Sequence, residues 1–415
     1  MDMTGLLDEI VDHYLGSGDF NGYFFHEEPE EARRTAVGLL DDGLIEVVGE
    51  ADYPNPHIRP WPTRRPVEQQ RDDINNSGAE HGAICLYPTA KALEERLDAQ
   101  LHHDEPYRRR LAEGRGTLEL AYFRFDVLES YRNDPRFNFD FDDFGVRISV
   151  SDEAYLDEDE DPNDKTSIYH VGFAYNETTI KRDSSEPITR YICAFLGDLS
   201  KLTPGHQQRW RTYEVTAKPE VRPHPVWMAA QMGHWPEGLG PFARFFFELE
   251  AWNELHTQAF GVPLLKTVDR PREFGWVLRP SQHEYDSFIH QLDKLLSENL
   301  QHKAFDAADV PRKDERDQPI GSLNRLDRLL AKHNIPEDDR RGVLKPLRDV
   351  RTARQKPAHS VRSNVTNKNF IRDQAELMAL VVESLMLLRS FWQNHPRNAG
   401  WQEPDYVGEG RYYWL

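Results

Sequence analysis

The spacing of apolar residues changes along the chain. From residue 281 onward they recur every three or four positions, whereas between residues 83 and 195 they fall into short alternating or unbroken runs. The first pattern belongs to helices with one buried face, the second to strands. Phe288, Ile289, Leu292, Leu295, Leu296 and Leu300 line one face of a helix capped by Ser281 and ending near His302. Leu323, Leu326, Leu329 and Leu330 mark a second helix, residues 344–353 a third, and residues 370–392 a fourth carrying Leu377, Leu380, Val381, Leu385 and Leu388. A polar loop covers 306–319. Four amphipathic helices with short links predict an all-α up-and-down bundle over 281–415.

Upstream, residues 83–87, 118–125, 146–150, 167–175 and 189–195 have the length and composition of strands. A charged helix carrying Leu93, Leu97 and Leu101 follows the first of them. The acidic tract 157–162 reads as an exposed loop rather than a site for a hard cation. Trp210, Trp227 and Trp235 read as packing against a helix at 241–260 rather than as a stacking platform, and His224 and His234 lack the spacing of a zinc site. An antiparallel-sheet α+β domain is therefore predicted for 66–270, with the Pro/Arg-rich stretch 270–280 as its boundary. At the start of the chain, helices are predicted for 4–25 and 28–45, the second with Ala32, Ala36, Leu39, Leu40 and Leu44 in helical spacing. Gly43 then leads into a β-like run to Val48, a turn at Pro54, Asn55 and Pro56, and an extended piece around Ile58. This order resembles the recognition helix and wing of a winged-helix domain over residues 1–65, which implies a DNA-binding regulator as one reading. The helix opposes it, with Glu27, Glu28, Glu30, Glu31, Asp41 and Asp42 against Arg33 and Arg34. Such a surface suits contact with a regulatory protein or ligand better than contact with phosphates.

Length and composition sharpen this picture. At 415 residues, with nine Trp, 16 Tyr and 21 Phe, the chain holds material for two or three folded cores. Its net charge of −20 is unevenly spread: residues 281–415 contain 21 basic and 20 acidic residues, which leaves −21 on residues 1–280. Residues 340–372 hold ten Lys and Arg and a single acid, Asp349, and so predict a basic patch. Cys85 and Cys193 stand alone among apolar neighbours, which fits reduced core thiols and a cytoplasmic location. No apolar run approaches the roughly 18 residues of a membrane span, and the first residues suit neither a signal peptide nor a lipid anchor. Walker loops, nucleophile elbows, H-E-x-x-H and paired C-x-x-C motifs are all missing, so no metal or other cofactor is expected.

The basic patch contains Arg348-Asp349-Val350-Arg351-Thr352-Ala353-Arg354-Gln355-Lys356-Pro357-Ala358-His359. Arg354 can hold a phosphate through two parallel hydrogen bonds, and His359 can move a proton near neutral pH. RNA carries its own nucleophile, the 2′-hydroxyl, so these two groups suffice in principle for cleavage without a metal. Lys356 is a candidate phosphate contact, and Arg351 either a second contact or a surface ion-pair partner. Pro357 is expected to break the helix and set His359 at a junction.

In its helical surroundings the segment resembles the R-x-x-x-x-H motif of the HEPN superfamily, over about the last third of the chain. The resemblance implies a HEPN-like bundle and a metal-independent endoribonuclease with Arg354 and His359 as catalytic residues. It also implies Gln355, Lys356 and Arg351 as RNA contacts and a homodimer that pairs two motifs. Products would carry 2′,3′-cyclic phosphate and 5′-hydroxyl ends. The biology it implies is antiviral defence or toxin-like growth control, with the acidic front part as regulator. Some HEPN domains serve only dimerisation or partner binding, and that is the alternative.

Overall fold

The computed structural model describes residues 3–413 apart from 17–20, 27, 50, 53–64, 79–81, 95, 97–102, 152–167, 182–183, 235–237, 359–362 and 409–410. Helices and antiparallel sheets are both extensive, as the mixed hydrophobic pattern predicts. The first core is built by α1 (Met3–Gly16), β1 (Tyr23–Phe25), α2 (Glu30–Asp41), β2 (Ile45–Gly49), α3 (Val67–Asn75), β3 (Ile84–Pro88) and α4 (Ala90–Glu94). Strand β3 is buried along its whole length because it is central, antiparallel to β1 on one side and to β2 on the other. Gln70 of α3 reaches β2 from the side away from β3, its Oε1 accepting from Val47 N at 2.8 Å.

Three expectations change here. The first unit extends to Leu93 rather than ending at residue 65, because β1 and β2 pair with β3 and not with each other. The helix expected over 4–25 stops at Gly16, since pairing with residues 84–86 draws Tyr23, Phe24 and Phe25 into a strand. Among the described residues, the partner of β2 is β3, which lies beyond α3. The turn at 54–56 and Ile58 lie outside the described residues, as do the acidic tract 157–162 and Trp235.

The second sheet contains β4 (Leu120–Phe123), β5 (Phe137–Phe141), β6 (Gly145–Val150), β7 (Ile168–Asn176), β8 (Arg190–Phe195), β9 (Glu214–Val215) and β10 (Val221–Pro223). It is antiparallel in the order β5-β6-β7-β8-β4-β9, with β10 paired to β7. Short helices α5 (Pro106–Ala112), α6 (Glu129–Arg132), α7 (Leu196–Ser200), α8 (Pro204–Tyr213) and α9 (Pro225–Gln231) connect and flank the strands. Strand β5 escaped the sequence reading although it alternates cleanly, with Phe137, Phe139 and Phe141 buried and Asn138 and Asp140 exposed. One face of the sheet feeds Phe139, Ile148, Phe173 and Ile192 into the main core. On the other, Trp227 lies over Gly172, where a Cβ would come within 2.3 Å of the indole. Trp210 is fully buried in the main core and donates to the Tyr131 hydroxyl at 2.8 Å, so both indoles are packing elements.

The helical part comprises α10 (Pro241–Phe260), α11 (Gln282–Leu296), α12 (His302–Ala307), α13 (Ser322–Lys332), α14 (Glu337–Ala358) and α15 (Phe370–Gln393). Asp143, in the turn between β5 and β6, caps α10 by accepting from Phe242 N at 2.7 Å and Ala243 N at 2.9 Å. Ser281 caps α11 as predicted. Helix α10 packs along α15, with Trp252 Nε1 donating to Leu385 O at 3.1 Å. It therefore belongs to the sheet core and to the bundle at once, and one hydrophobic core runs from Tyr107 to Trp392.

The stretch 270–280 is accordingly no domain boundary. Phe274, Trp276, Val277 and Leu278 are buried, and Gln374 of α15 accepts from Val277 N and donates to Gly275 O at 3.0 and 2.9 Å. Helix α14 starts at Glu337, seven residues before the stretch read from its leucines, and contains Pro346. Proline removes one helical hydrogen bond and weakens the next; Ser384 of α15 donates to Val343 O at that point. Nor does Pro357 end the helix where expected, because α14 continues to Ala358. A proline in the final turn forfeits little of a helix already formed upstream.

His256 of α10 is fully buried, with Nδ1 donating to Val262 O at 2.8 Å and Nε2 lacking a hydrogen-bond partner among the described residues. Burial beside Phe260 and Trp392 pushes its pKa down to about 4. In the unfolded chain the imidazole takes a proton below pH ~6.5, whereas in the folded chain it does not until pH 4 is approached. Folding stability therefore falls as pH drops through this window. Urea unfolding at pH 7 and 4.5 is expected to show a loss roughly 2–3 kcal/mol larger in the wild type than in His256→Phe. Equal losses in both proteins would refute this.

Candidate functional site

Helices α11 and α14 lie against each other, and a polar cluster is set into their contact. Asp293 occupies the apolar face of α11 between Leu292 and Leu296 and is fully buried. Its Oδ2 accepts from Arg354 Nη1 at 2.6 Å, with Arg351 Nη1 3.6 Å away, and its Oδ1 accepts from the Ser297 hydroxyl. Arg351 Nη1 also donates to Ser297 Oγ at 2.7 Å, and Arg354 Nη1 meets the Glu298 carboxylate. Residues 293 and 297 are one turn apart on α11, and 351 and 354 nearly one turn apart on α14, so the two helices present matching edges.

A buried carboxylate needs such partners, because burial without them costs several kcal/mol. The hydrogen bond from Arg354 lowers the pKa of Glu298, and its two carboxylate partners raise that of Arg354. Arg354 Nε and Nη2 have no partner among the described residues, so the guanidinium is anchored through one nitrogen only. His290, one turn before Asp293, has its pKa lowered by burial and then by the charges of Lys294 and Arg354. Its imidazole is neutral at pH 7.

Beside this cluster a cleft of about 290 Å³ is lined on one wall by Arg348, Arg351, Thr352 and Gln355 of α14. Its other wall is Gly321 and the first turn of α13, residues Ser322, Leu323 and Asn324. Gly321 supplies no side-chain cap. The amides at this helix start carry partial positive charge that adds to that of the arginines.

The structure thus brings together Arg354, Arg351 and Gln355 of the residues singled out from the sequence. Lys356 belongs to the last turn of α14, and His359 lies outside the described residues. Asp293, Ser297, Glu298 and His290 were not anticipated. A signal existed for Asp293: an acid inside the leucine-rich face of α11 cannot avoid burial once that face packs.

The basic patch is the main correction. Arg340 and Arg348 pair with Asp327 of α13 at 2.7 and 3.0 Å, Arg341 pairs with Asp338, and Lys345 with Asp349. Arg372 donates to the carbonyls of Thr179, Lys181 and Glu186. Counting charges along one segment overlooks acids that other helices deliver to the same place. Among the described residues no group of three or more His, Cys, Asp or Glu could hold a metal ion, and no helix is long and apolar enough to cross a membrane. Cys85 and Cys193 are buried and not disulfide-bonded, and burial pushes both thiols up in pKa, that of Cys85 to about 12. Comparison with protein-family models, with curated proteins and with solved structures finds no match.

The cluster's energetics are asymmetric. Removing Arg354 leaves the immobile Asp293 charge with weaker partners, whereas Arg354 itself is partly exposed and can turn to water. Arg354→Ala is expected to cost about 3 kcal/mol of stability, and adding Asp293→Asn to recover most of it. Denaturant titration of the single and double variants tests this, and simply additive losses would refute it.

Proposed function

We propose that the C-terminal helical part is a metal-independent endoribonuclease of the HEPN type, working as a homodimer in which Arg354 holds the scissile phosphate and His359 transfers the proton. The observation that carries this reading is the way Arg354 is held. A buried carboxylate anchors one nitrogen and leaves Nε and Nη2 for a ligand, beside a cleft lined by Arg348, Arg351 and Gln355. A guanidinium fixed in this way pays little reorganisation when charge grows on a phosphorane. The 2′-hydroxyl attacks the phosphorus, the 5′-oxygen leaves, and His359 serves the proton transfer between them. Gln355, exposed on the cleft wall, orients the substrate, and Arg351 contributes a second cation. Lys356, in the adjoining turn, supplies a further phosphate contact.

Pairing of two subunits is supported by Leu380 and Leu387, which stand 52% and 64% exposed seven residues apart on α15. The acidic front part, residues 1–280 with the sheet-containing sensor region 66–270 after a winged-helix-like start, would regulate the cytoplasmic enzyme in defence or growth control. A second reading has a specific observation behind it: Asp293 and Glu298 together neutralise Arg354, which suits a non-catalytic interaction bundle.

Incubation of the purified protein with a structured RNA in EDTA separates the two. The expected result is cleavage to 2′,3′-cyclic phosphate and 5′-hydroxyl ends, reduced about a hundredfold or more in His359→Ala and in the Arg354→Ala/Asp293→Asn double variant. Intact RNA, or cleavage unchanged in a folded His359→Ala protein, would sink the nuclease and leave the interaction reading.

A further inference from the structure

On the far side of α10 from the sheet, Phe247, Glu250 and Glu254 follow one another at helical spacing, away from the buried face of Phe245, Leu249, Trp252 and Leu255. Residues 397–406 cross this face and enclose with it a groove of about 530 Å³. We infer that the groove between α10 and residues 397–406 binds a cationic side chain, the guanidinium or ammonium group of an arginine or lysine in a partner peptide.

The walls are aromatic and the free charge is negative. Phe247, Trp401 and Tyr406 line the groove, and Tyr406 is 56% exposed, which a tyrosine with no ligand to cover it gains little from. Glu250 has no hydrogen-bond or ion-pair partner among the described residues, whereas the Glu254 carboxylate is held in place by Trp401 Nε1 at 3.1 Å and Gln258 Nε2 at 3.2 Å. Arg397 also lines the groove, its Nη1 donating to Ala259 O at 2.8 Å, and its single positive charge against Glu250 and Glu254 leaves the lining negative by one. Aromatic faces with carboxylates at their edge make the combination that selects a cation over a neutral or anionic group.

The rings already serve that purpose from within. Arg244 sits 5.4 Å from the Phe247 ring centroid and Arg389 5.3 Å from that of Trp401. Both inner arginines are compensated by Glu248 and Glu403 and add no net charge to the groove floor. The geometry is also preformed. Asn398 Nδ2 donates to Leu255 O and Trp392 O at 3.0 and 2.7 Å, and Arg244 and Arg389 both grip Glu403. A ligand would meet walls that need no ordering, which favours binding by a single small group.

The test uses the full chain and isothermal titration with the peptide acetyl-Gly-Arg-Lys-Gly-amide, its citrulline/norleucine analogue and spermidine. Saturable binding of the basic peptide is expected, at least about tenfold weaker for the neutral analogue and about five- to tenfold weaker in Glu250→Gln and in Tyr406→Ala. Both substitutions change exposed side chains, and unchanged thermal unfolding will show that the fold is intact. Equal binding of the neutral analogue, no effect of either substitution, or no binding of the peptide would overturn the proposal. Binding of spermidine without binding of the peptide would overturn the peptide as the source of the cation. None of these outcomes depends on whether RNA is cleaved.

Discussion

The carboxylate of Glu248 has no access to water. It lies in the middle of α10, fully buried, and is met by Arg244 at 2.8 Å and Arg389 at 2.7 Å; those two arginines in turn share Glu403 at 2.7 and 3.0 Å. Burial raises the pKa of Glu248, and the two arginines oppose that rise. Two cations and two anions from α10, α15 and the segment after it must therefore assemble together, since an incomplete set would leave a charge stranded in a medium that cannot solvate it. Because the other side of α10 supplies Phe242, Phe245 and Leu249 to the core under the sheet, the quartet also fixes how the bundle sits on that sheet. The α11–α14 contact repeats the logic on a smaller scale, with Asp293 as the buried anion.

Periodicity made the elements legible but not their association. Helices α13 and α15 match the leucine pattern closely, α11 stops at Leu296 short of the expected His302, and five of the strands fall where β-branched and aromatic runs place them, because each element must bury one face whatever it packs against. What was lost depends on partners distant in sequence. Strand β3 unites residues 23–25 with 45–49, and nothing local to either announces it. The stretch 270–280 has the proline and arginine content of a linker, yet Phe274, Trp276 and Gln374 make it part of the core. Helix α10 was assigned to the sheet domain because it follows the strands; its second apolar side, facing α15, has the same residue types as the first.

The candidate site was legible to the same extent. Arg351, Arg354 and Gln355 could be picked out by chemistry and spacing, since they share one stretch of helix. Their electrostatic setting could not, because Asp293, Glu298 and Asp327 arrive from α11 and α13. Of the ten cations in this segment, Arg340, Arg341, Lys345, Arg348, Arg351 and Arg354 each meet a carboxylate in three dimensions. Among the described residues, Arg354 keeps Nε and Nη2 without a partner, and Arg348 and Arg351 line the adjoining cleft.

This balance bears on how the acidic front of the chain could act. Masking of a basic surface by residues 1–280 is a natural idea while those cations are thought to be unpaired. The acids that meet Arg340, Arg348, Arg351 and Arg354 belong to the helical part itself, however, and the first unit joins the rest elsewhere, where the Tyr14 hydroxyl donates to Arg115 O at 2.9 Å. Among the described residues, electrostatic cover for the site is thus built into the bundle and would persist without the first unit. Under the nuclease reading, control by that unit would act through its contact with α5 and Arg115 rather than by covering charge. Any polyanion approaching the chain would meet long-range repulsion from the acidic front, as a salt-dependent effect on rate rather than a lock on the site.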